Sequence, residues 1–290
     1  MTRRRLLFVH AHPDDESSKG AATAARYVDD GALVTLVTCT GGEAGDVLNP
    51  SCPPVQRADM SATRRRELEA ACQVIGFHAR HELGFVDSGY HENPTGVPEG
   101  AFARQPVDLP AAPLAEVLRH ERPHVVVTYP QDGGYPHPDH IMCHEVSIRA
   151  LGLAEDPNAE VPGTPWRVPK VYACHAFPPE RVLALHHALV ERGEVSPFEG
   201  WMERRAERTD RTEWPCDAKI RVDGWFERRD QALRCHVTQV DPEGTWFGWP
   251  RDLERVVYPW ECFTRLRSDV AVPVQEDDLF AGLDPTEAST

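Results

Sequence analysis

The sequence predicts an α/β protein: a Rossmann-like, mostly parallel twisted sheet flanked by helices, with a smaller C-terminal α/β subdomain. Three observations predict it. Between Arg5 and Thr38 an apolar run, an alanine-rich stretch and a β-branched run follow one another in the order of a βαβ unit. A second apolar run, Val125 to Tyr129, exits like the first into a polar loop. After Pro169 the pattern changes and a further series of strand and helix signals begins.

Arg5 to Ala11 reads as a short buried strand around Leu6 to Val9. Gly20 to Asp29 reads as a helix that Gly31 can terminate, because glycine tolerates the left-handed backbone on which helices often end. Leu33 to Thr38 is a second strand, rich in β-branched residues. Parallel strands joined in this way imply a right-handed crossover. Arg64 to Ile75 reads as a helix, Glu82 to Val86 as a strand, and Leu114 to His120 as a helix before the strand at Val125. Glu92 to Pro113, rich in Pro and Gly, reads as a long surface loop. Cys143 to Leu151 suggests another helix. Beyond it come a strand at Val171 to Ala176, helices at Pro179 to Arg192 and Glu199 to Glu207, a strand at Ala218 to Val222 and a helix at Gly224 to Cys235. The acidic, small-residue-rich tail from Gln275 is expected to fray. This divides the chain into residues 1–170 and a smaller unit, residues 171–290.

A net charge of -15 argues against nucleic acid or an anionic membrane as the main partner. The basic start Arg3-Arg4-Arg5 precedes only four apolar residues, Leu6 to Val9, whereas a signal peptide needs about 7–15. No window approaches about 18 uninterrupted apolar residues, so a cytoplasmic protein without a membrane span is expected. The eight cysteines include no C-x-x-C pair, which speaks against a structural zinc cluster and for reduced thiols. Arginine dominates the basic residues; the only lysines are Lys19, Lys170 and Lys219.

The chemistry sits where two strands end, the place at which open α/β sheets bind ligands. The first strand runs into His10-Ala11-His12-Pro13-Asp14-Asp15-Glu16, in which His12 and Asp15 can both supply metal-ligand atoms. The strand at Val125 runs into a loop ending Tyr135-Pro136-His137-Pro138-Asp139-His140, where two histidines flank an aspartate. Two imidazoles and a carboxylate leave one position of a zinc site open for water, which is the catalytic pattern. The residues alone leave Asp14 open between a helix N-cap and a base. His10 is expected to be a buried, hydrogen-bonded histidine rather than a ligand.

His12-Pro13-Asp14-Asp15-Glu16 together with Pro136-His137-Pro138-Asp139-His140 resembles the LmbE-like or PIG-L-like deacetylase family, whose members hydrolyse N-acyl-glucosamine derivatives. The similarity runs nearly end to end, through Thr40 to Pro50, Leu83 to Gly89, Arg122 to His144 and His236 to Pro242. It is closest to the branch that acts on mycothiol S-conjugates. The resemblance implies Zn²⁺, with Fe²⁺ as the alternative ion, held by His12, Asp15 and His140. It implies Asp14 as general base, His137 beside the reacting carbonyl and oriented by Asp139, and Tyr135 polarising the carbonyl oxygen. It leaves open which of Asp14 and His137 protonates the leaving amine.

Lys19, Glu43, Asp46, Arg64 and Asp87 fall at positions resembling the family's sugar- and inositol-contacting residues, and Gln239 resembles a C-terminal residue reaching back to the site. Lys19 and Asp46 could equally be solvated loop charges, and Gln239 a polar residue at a helix end. Asp46 departs from the glutamate usual in close relatives. The implied function is cleavage of the cysteinyl–glucosamine amide of a small thiol–sugar conjugate, in detoxification or in an antibiotic pathway such as that of lincomycin. The alternative is a deacetylase of N-acetylglucosaminyl-inositol; a remoter one is a non-catalytic sugar-conjugate binding protein. Residues 171–290 would complete the substrate pocket, and the oligomeric state stays open.

Overall fold

The computed structural model describes residues 3–90, 96–207 and 214–283. Seven strands form one sheet in the order β3-β2-β1-β4-β5-β7-β6. They are β1 (Arg5–His10), β2 (Leu33–Thr40), β3 (Ala79–Phe85), β4 (Val125–Thr128), β5 (Lys170–Cys174), β6 (Ala218–Arg221) and β7 (Trp260–Ser268). The first five in that order pair in parallel; β7 is antiparallel to β5 and to β6. The helices are α1 (Asp15–Ser18), α2 (Ala21–Asp29), α3 (Met60–Ile75), α4 (Asp108–Glu121), α5 (Pro138–Glu155), α6 (Pro179–Glu191), α7 (Glu199–Glu207), α8 (Phe226–Cys235) and α9 (Arg251–Val257). Among the described residues no helix is long and apolar enough to cross a membrane.

β1 shows why the sheet forms. Its alternate side chains point to opposite faces, so Leu6 and Phe8 join one buried cluster and Leu7 and Val9 the other. A strand buried on both faces reads as a continuous apolar run. From β1 the chain steps outward to β2 and β3, then returns to lay β4 on the other flank of β1, with Leu6 beside Val125 and Phe8 beside Val127. The carboxyl ends of β1 and β4 therefore flank the point where the strand order reverses, the position at which such sheets open a crevice.

Several elements depart from expectation. α4 starts at Asp108, inside the region read as a loop; Pro110 lies in its first turn and Pro113 inside it. Of the rest of that region, residues 92–95 lie outside the described residues, and Val97 and Phe102 are buried. α5 begins at Pro138 rather than Cys143, since proline suits the first helical position. β7 was not anticipated. The strands after residue 170 extend the same sheet. The tail does not fray as far as residue 283: Glu276 is fully buried, accepts hydrogen bonds from Lys170 Nζ at 2.5 Å and Tyr172 OH at 2.9 Å, and pairs with Arg265. Cys216 and Cys262 form a disulfide, against the expectation of reduced thiols throughout. The bond lies beside the start of the β6–β7 ladder, whose register sets Lys219 opposite Cys262 and Ala218 opposite Phe263.

Candidate metal centre

The loop after β1 is fixed from both sides. Thr40 N and Oγ1 donate to Ala11 O at 2.9 and 3.0 Å, and Ala11 N donates to Tyr129 OH at 3.0 Å. Tyr129 OH in turn donates to Asp15 Oδ2 at 2.6 Å, and His12 N donates to the same oxygen at 3.0 Å. Between them Asp14 adopts φ 102°, a conformation rare for a side-chain-bearing residue. Asp14 occupies the cap position of α1, yet its carboxylate caps nothing. It turns to Arg64, whose Nη2 lies 2.7 Å away. Arg64 also donates to Gly42 O at 2.6 Å and to Pro13 O, which locks the loop to α3.

The loop after β4 places the second pair. His137 is the N-cap of α5, and its Nδ1 accepts from Asp139 N at 3.1 Å. A neutral ring accepting at Nδ1 carries its hydrogen on Nε2. His140 does the opposite. Its Nδ1 faces the Gly133 carbonyl at 3.2 Å, and a carbonyl can only accept, so the hydrogen sits on Nδ1. Its Nε2 is left bare and buried, with no hydrogen-bond partner among the described residues. Gly133 makes this approach possible: at φ 75° a Cβ there would lie 2.8 Å from His140 Cβ.

The hydrogen-bond pattern selects the residues that could hold an ion. One nitrogen each of His12, His137 and His140 lie within 4.8 Å of one another, and so do atoms of His12, Asp87 and Asp139. Metal-binding histidines characteristically donate their second nitrogen to a carboxylate or carbonyl. His12 fits, with Nε2 on Asp139 Oδ2 at 3.1 Å, and His140 fits through Gly133. His137, which accepts at Nδ1, does not. Asp87 accepts from the N–H groups of Ala44 and Gly89 and Asp139 from Ser88, and Asp15 is engaged as fully by Tyr129, His12 N and Lys19, so spacing rather than engagement distinguishes the carboxylates. Asp15 Oδ2 stands between the two fitting imidazoles, 3.4 Å from His12 Nδ1 and 3.4 Å from His140 Nε2. Zinc bonds of about 2.0–2.2 Å set the corners of a tetrahedron about 3.3–3.6 Å apart, so these separations match.

The electrostatics favour a cation. Lys19 and Arg64 pair with Asp15 and Asp14, whereas Asp87 and Asp139 both face His12. Burial works to lower the His12 pKa, but hydrogen bonds to Asp139, Asp15 and Asp87 raise it well above the usual imidazole value. For Asp15 burial acts upward, and Lys19 with His140 holds it well below the usual carboxylate range. Asp14 is raised, chiefly by burial and against the pull of Arg64. His137 is pushed down to about 3 by burial and by its neighbours His12 and His140. Burial, outweighing Lys19, lifts Tyr135 to about 12.

A cavity of about 750 Å³ opens above this cluster, and its lining includes His12, Asp14, Asp15, Asp46, Arg64, Asp87, Tyr135, His137 and Gln239. Three anticipated residues are placed differently. Lys19 does not line the cavity; one helical turn from Asp15, its ammonium folds back onto that carboxylate at 2.5 Å. Glu43 lines a separate cleft beneath, and its Oε1 accepts from Asp87 N at 3.0 Å. Asp139 orients His12 rather than His137, because its side chain points away from the ring its own backbone caps. His10 is buried as expected but has no hydrogen-bond partner among the described residues; it stacks on Phe8 and meets Tyr129 edge-on.

Four contributors escaped the sequence reading. Ser88 holds Asp139, and Arg57 and Tyr90 line the cavity. His236 Nε2 meets buried Glu16 Oε1 at 2.7 Å, which ties the segment carrying Gln239 to the metal loop. The resemblance over His236 to Pro242 was the signal for this last contact.

The family model described as PIG-L, GlcNAc-PI de-N-acetylase, matches residues 7–151. A mycothiol S-conjugate amidase of Streptomyces coelicolor is 45% identical over 292 residues, covering 96% of this chain and 97% of the relative. A 1D-myo-inositol 2-acetamido-2-deoxy-alpha-D-glucopyranoside deacetylase of Thermobifida fusca is 39% identical over 296 residues, covering 97% of this chain and 100% of the relative. Among solved structures, a 4-carboxy-2-hydroxymuconate hydratase of Pseudomonas putida superposes with TM-score 0.64 at 17% identity, over 93% of this chain and 99% of that one. At that identity the likeness speaks for the fold alone, and one fold can host unrelated reactions.

Proposed function

This chain belongs to the PIG-L family of GlcNAc-PI de-N-acetylases, and from that premise we propose that it is a zinc-dependent amidase cleaving the cysteinyl–glucosamine amide of mycothiol S-conjugates. The observation that carries the proposal is the cavity of about 750 Å³ over the metal centre, polar on one side and aromatic on the other. An acetyl group needs a small part of that space. The 45% identity to the amidase of Streptomyces coelicolor supports the same choice.

His12, Asp15 and His140 would hold the ion, which when bound polarises a carbonyl and lowers the pKa of water to about 7. Asp14, raised by burial and steadied by Arg64, takes a proton from the attacking water and passes it to the leaving amine. His137, neutral and carrying hydrogen on Nε2, donates to the oxygen on which negative charge develops. Tyr135, protonated because burial lifts it to about 12, donates to the same oxygen. Asp46, Arg64, Asp87 and Gln239 meet the hydroxyl-rich sugar and inositol. Water is added across the C–N bond, leaving glucosaminyl-inositol and an S-substituted cysteine derivative. Detoxification, or an antibiotic pathway such as that of lincomycin, would supply such conjugates.

The 39% identity to the Thermobifida fusca deacetylase favours a second reading, removal of acetate from N-acetylglucosaminyl-inositol. The two are separated by kcat/KM for a mycothiol–bimane conjugate and for the acetylated substrate at one zinc concentration. The conjugate is expected to win by at least about tenfold, about 1.4 kcal/mol of transition-state binding. A preference for the acetyl substrate moves the assignment to the deacetylase. Full activity of a metal-free preparation would overturn both.

A further inference from the structure

We propose that Tyr90 is a specificity-determining residue, whose ring, together with Tyr135, seats an apolar and preferably aromatic substituent on the acyl side of the substrate; this rests on the amidase reading above. Large apolar surface is normally withdrawn from water, and where it stays exposed beside a cleft it marks a binding site. Tyr90 is 58% exposed and Tyr135 47%, and both line the cavity over the metal centre.

The two rings continue an aromatic row that begins at the metal ligands. His140 and Tyr135 have centroids 4.7 Å apart, Tyr135 and Tyr90 6.2 Å, and Tyr90 and His137 5.7 Å. A substituent extending outward from the scissile carbonyl next to His137 would therefore meet the face or edge of Tyr90. Offset or edge-on aromatic contacts operate at centroid separations of this kind. The opposite wall has different chemistry. Arg57 donates to Ala44 O and Gly45 O, Gln239 donates to Asp46 O, and Arg64 pairs with Asp14. That wall presents charges and amides suited to hydroxyl groups, with Leu48 as its apolar member. The cavity thus divides the substrate: the polyol to the polar wall, the sulfur substituent to the tyrosines.

The test uses glucosaminyl-inositol acylated with S-methyl-cysteine, S-benzyl-cysteine or acetate, on wild type, Tyr90→Ala and Tyr90→Phe. The ratio of kcat/KM for S-benzyl over S-methyl is expected to fall about tenfold in Tyr90→Ala and to stay within about twofold of wild type in Tyr90→Phe, which keeps the ring. The inhibition constant of S-benzyl-cysteine, the released product, should rise in parallel in Tyr90→Ala. Equal losses on the two conjugates, an unchanged ratio, or a Tyr90→Phe defect as deep as that of Tyr90→Ala would each overturn the proposal. If the wild type cleaves only the acetyl substrate, the amidase reading fails by itself. The Tyr90 ratio is then read on N-phenylacetyl against N-acetyl glucosaminyl-inositol, with the same expected and overturning results.

Discussion

Asp14 holds a backbone conformation, φ 102°, that costs a non-glycine residue about 1–3 kcal/mol. Its carboxylate returns none of this as a helix cap, so the strain serves to aim the side chain into the cavity beside Arg64. Asp14→Asn should therefore retain bound zinc while kcat falls about 10²–10⁴-fold, the scale of a lost general base. His140→Ala should instead lose the ion, because its buried Nε2, without a hydrogen-bond partner among the described residues, is the atom that would bind it. Metal analysis of both purified variants decides the matter; an Asp14→Asn protein that is folded but empty would exchange the roles of Asp14 and Asp15. Lys19 carries a related expectation. Since its ammonium contacts Asp15 and not the cavity, Lys19→Ala should reduce turnover of the acetyl and S-conjugate substrates by the same factor. A selective loss on the conjugate would return Lys19 to the substrate.

Gly42 shows how a loop between elements serves the site. At φ 66° it sits where a Cβ would fall 2.2 Å from Arg64 Nη1, so Gly42→Ala must strain the turn and push Arg64 away from Asp14. The expected result is a kcat/KM at least about tenfold lower with the metal content unchanged, read by steady-state kinetics and metal analysis; unaltered kinetics would show that Arg64 does not steady the base. The motif loops were legible at this scale because β1 and β4 are apolar runs that end at His10 and Thr128, each leading into a loop that carries histidine and aspartate. Other elements were hidden for identifiable reasons. The prolines at 110 and 113 masked α4, although Pro110 lies in its first turn, where the N–H is unpaired anyway, and Pro113 inside it removes a single backbone donor. β7 alternates Arg265 and Arg267 with less polar residues and pairs antiparallel near the sheet edge, so no apolar run announced it. Lys19 and Glu43 were assigned to substrate on position alone; only the turn of each side chain shows that one serves Asp15 and the other Asp87.

Distant parts of the chain meet at the centre, and buried ion pairs hold them there. α8 delivers His236 to Glu16 and Gln239 to the cavity, and α8 is itself anchored through Glu254. That carboxylate is buried between α6, α8 and α9, accepting from Arg181 at 2.7 Å, from Arg229 at 3.0 Å through each oxygen, and from Trp249 at 2.8 Å. Burial pushes its pKa up, but Arg181 and Arg229 outweigh this and hold it well below the usual carboxylate range. A folded-state value below the unfolded one means that its stabilisation is complete above the unfolded value, near 4.5. It is lost as the pH falls from there through the depressed folded value. Glu254→Gln removes the counter-charge paired with buried Arg181 and leaves Arg229 with Asp230 alone, and breaking a buried pair in this way typically costs about 3–5 kcal/mol. The variant should therefore unfold at a lower temperature than wild type near neutrality. Its Tm should also decline less steeply than that of wild type between about pH 5 and about pH 3, since it no longer has this carboxylate to protonate. Calorimetry of both proteins in the same chelated state, with the Cys216–Cys262 disulfide intact, provides the comparison. Parallel Tm curves would assign the acid sensitivity to other carboxylates. A Tm at pH 7 equal to that of wild type would mean that α8 is anchored through its apolar contacts, Phe226, Ala232 and Leu233, rather than through Glu254.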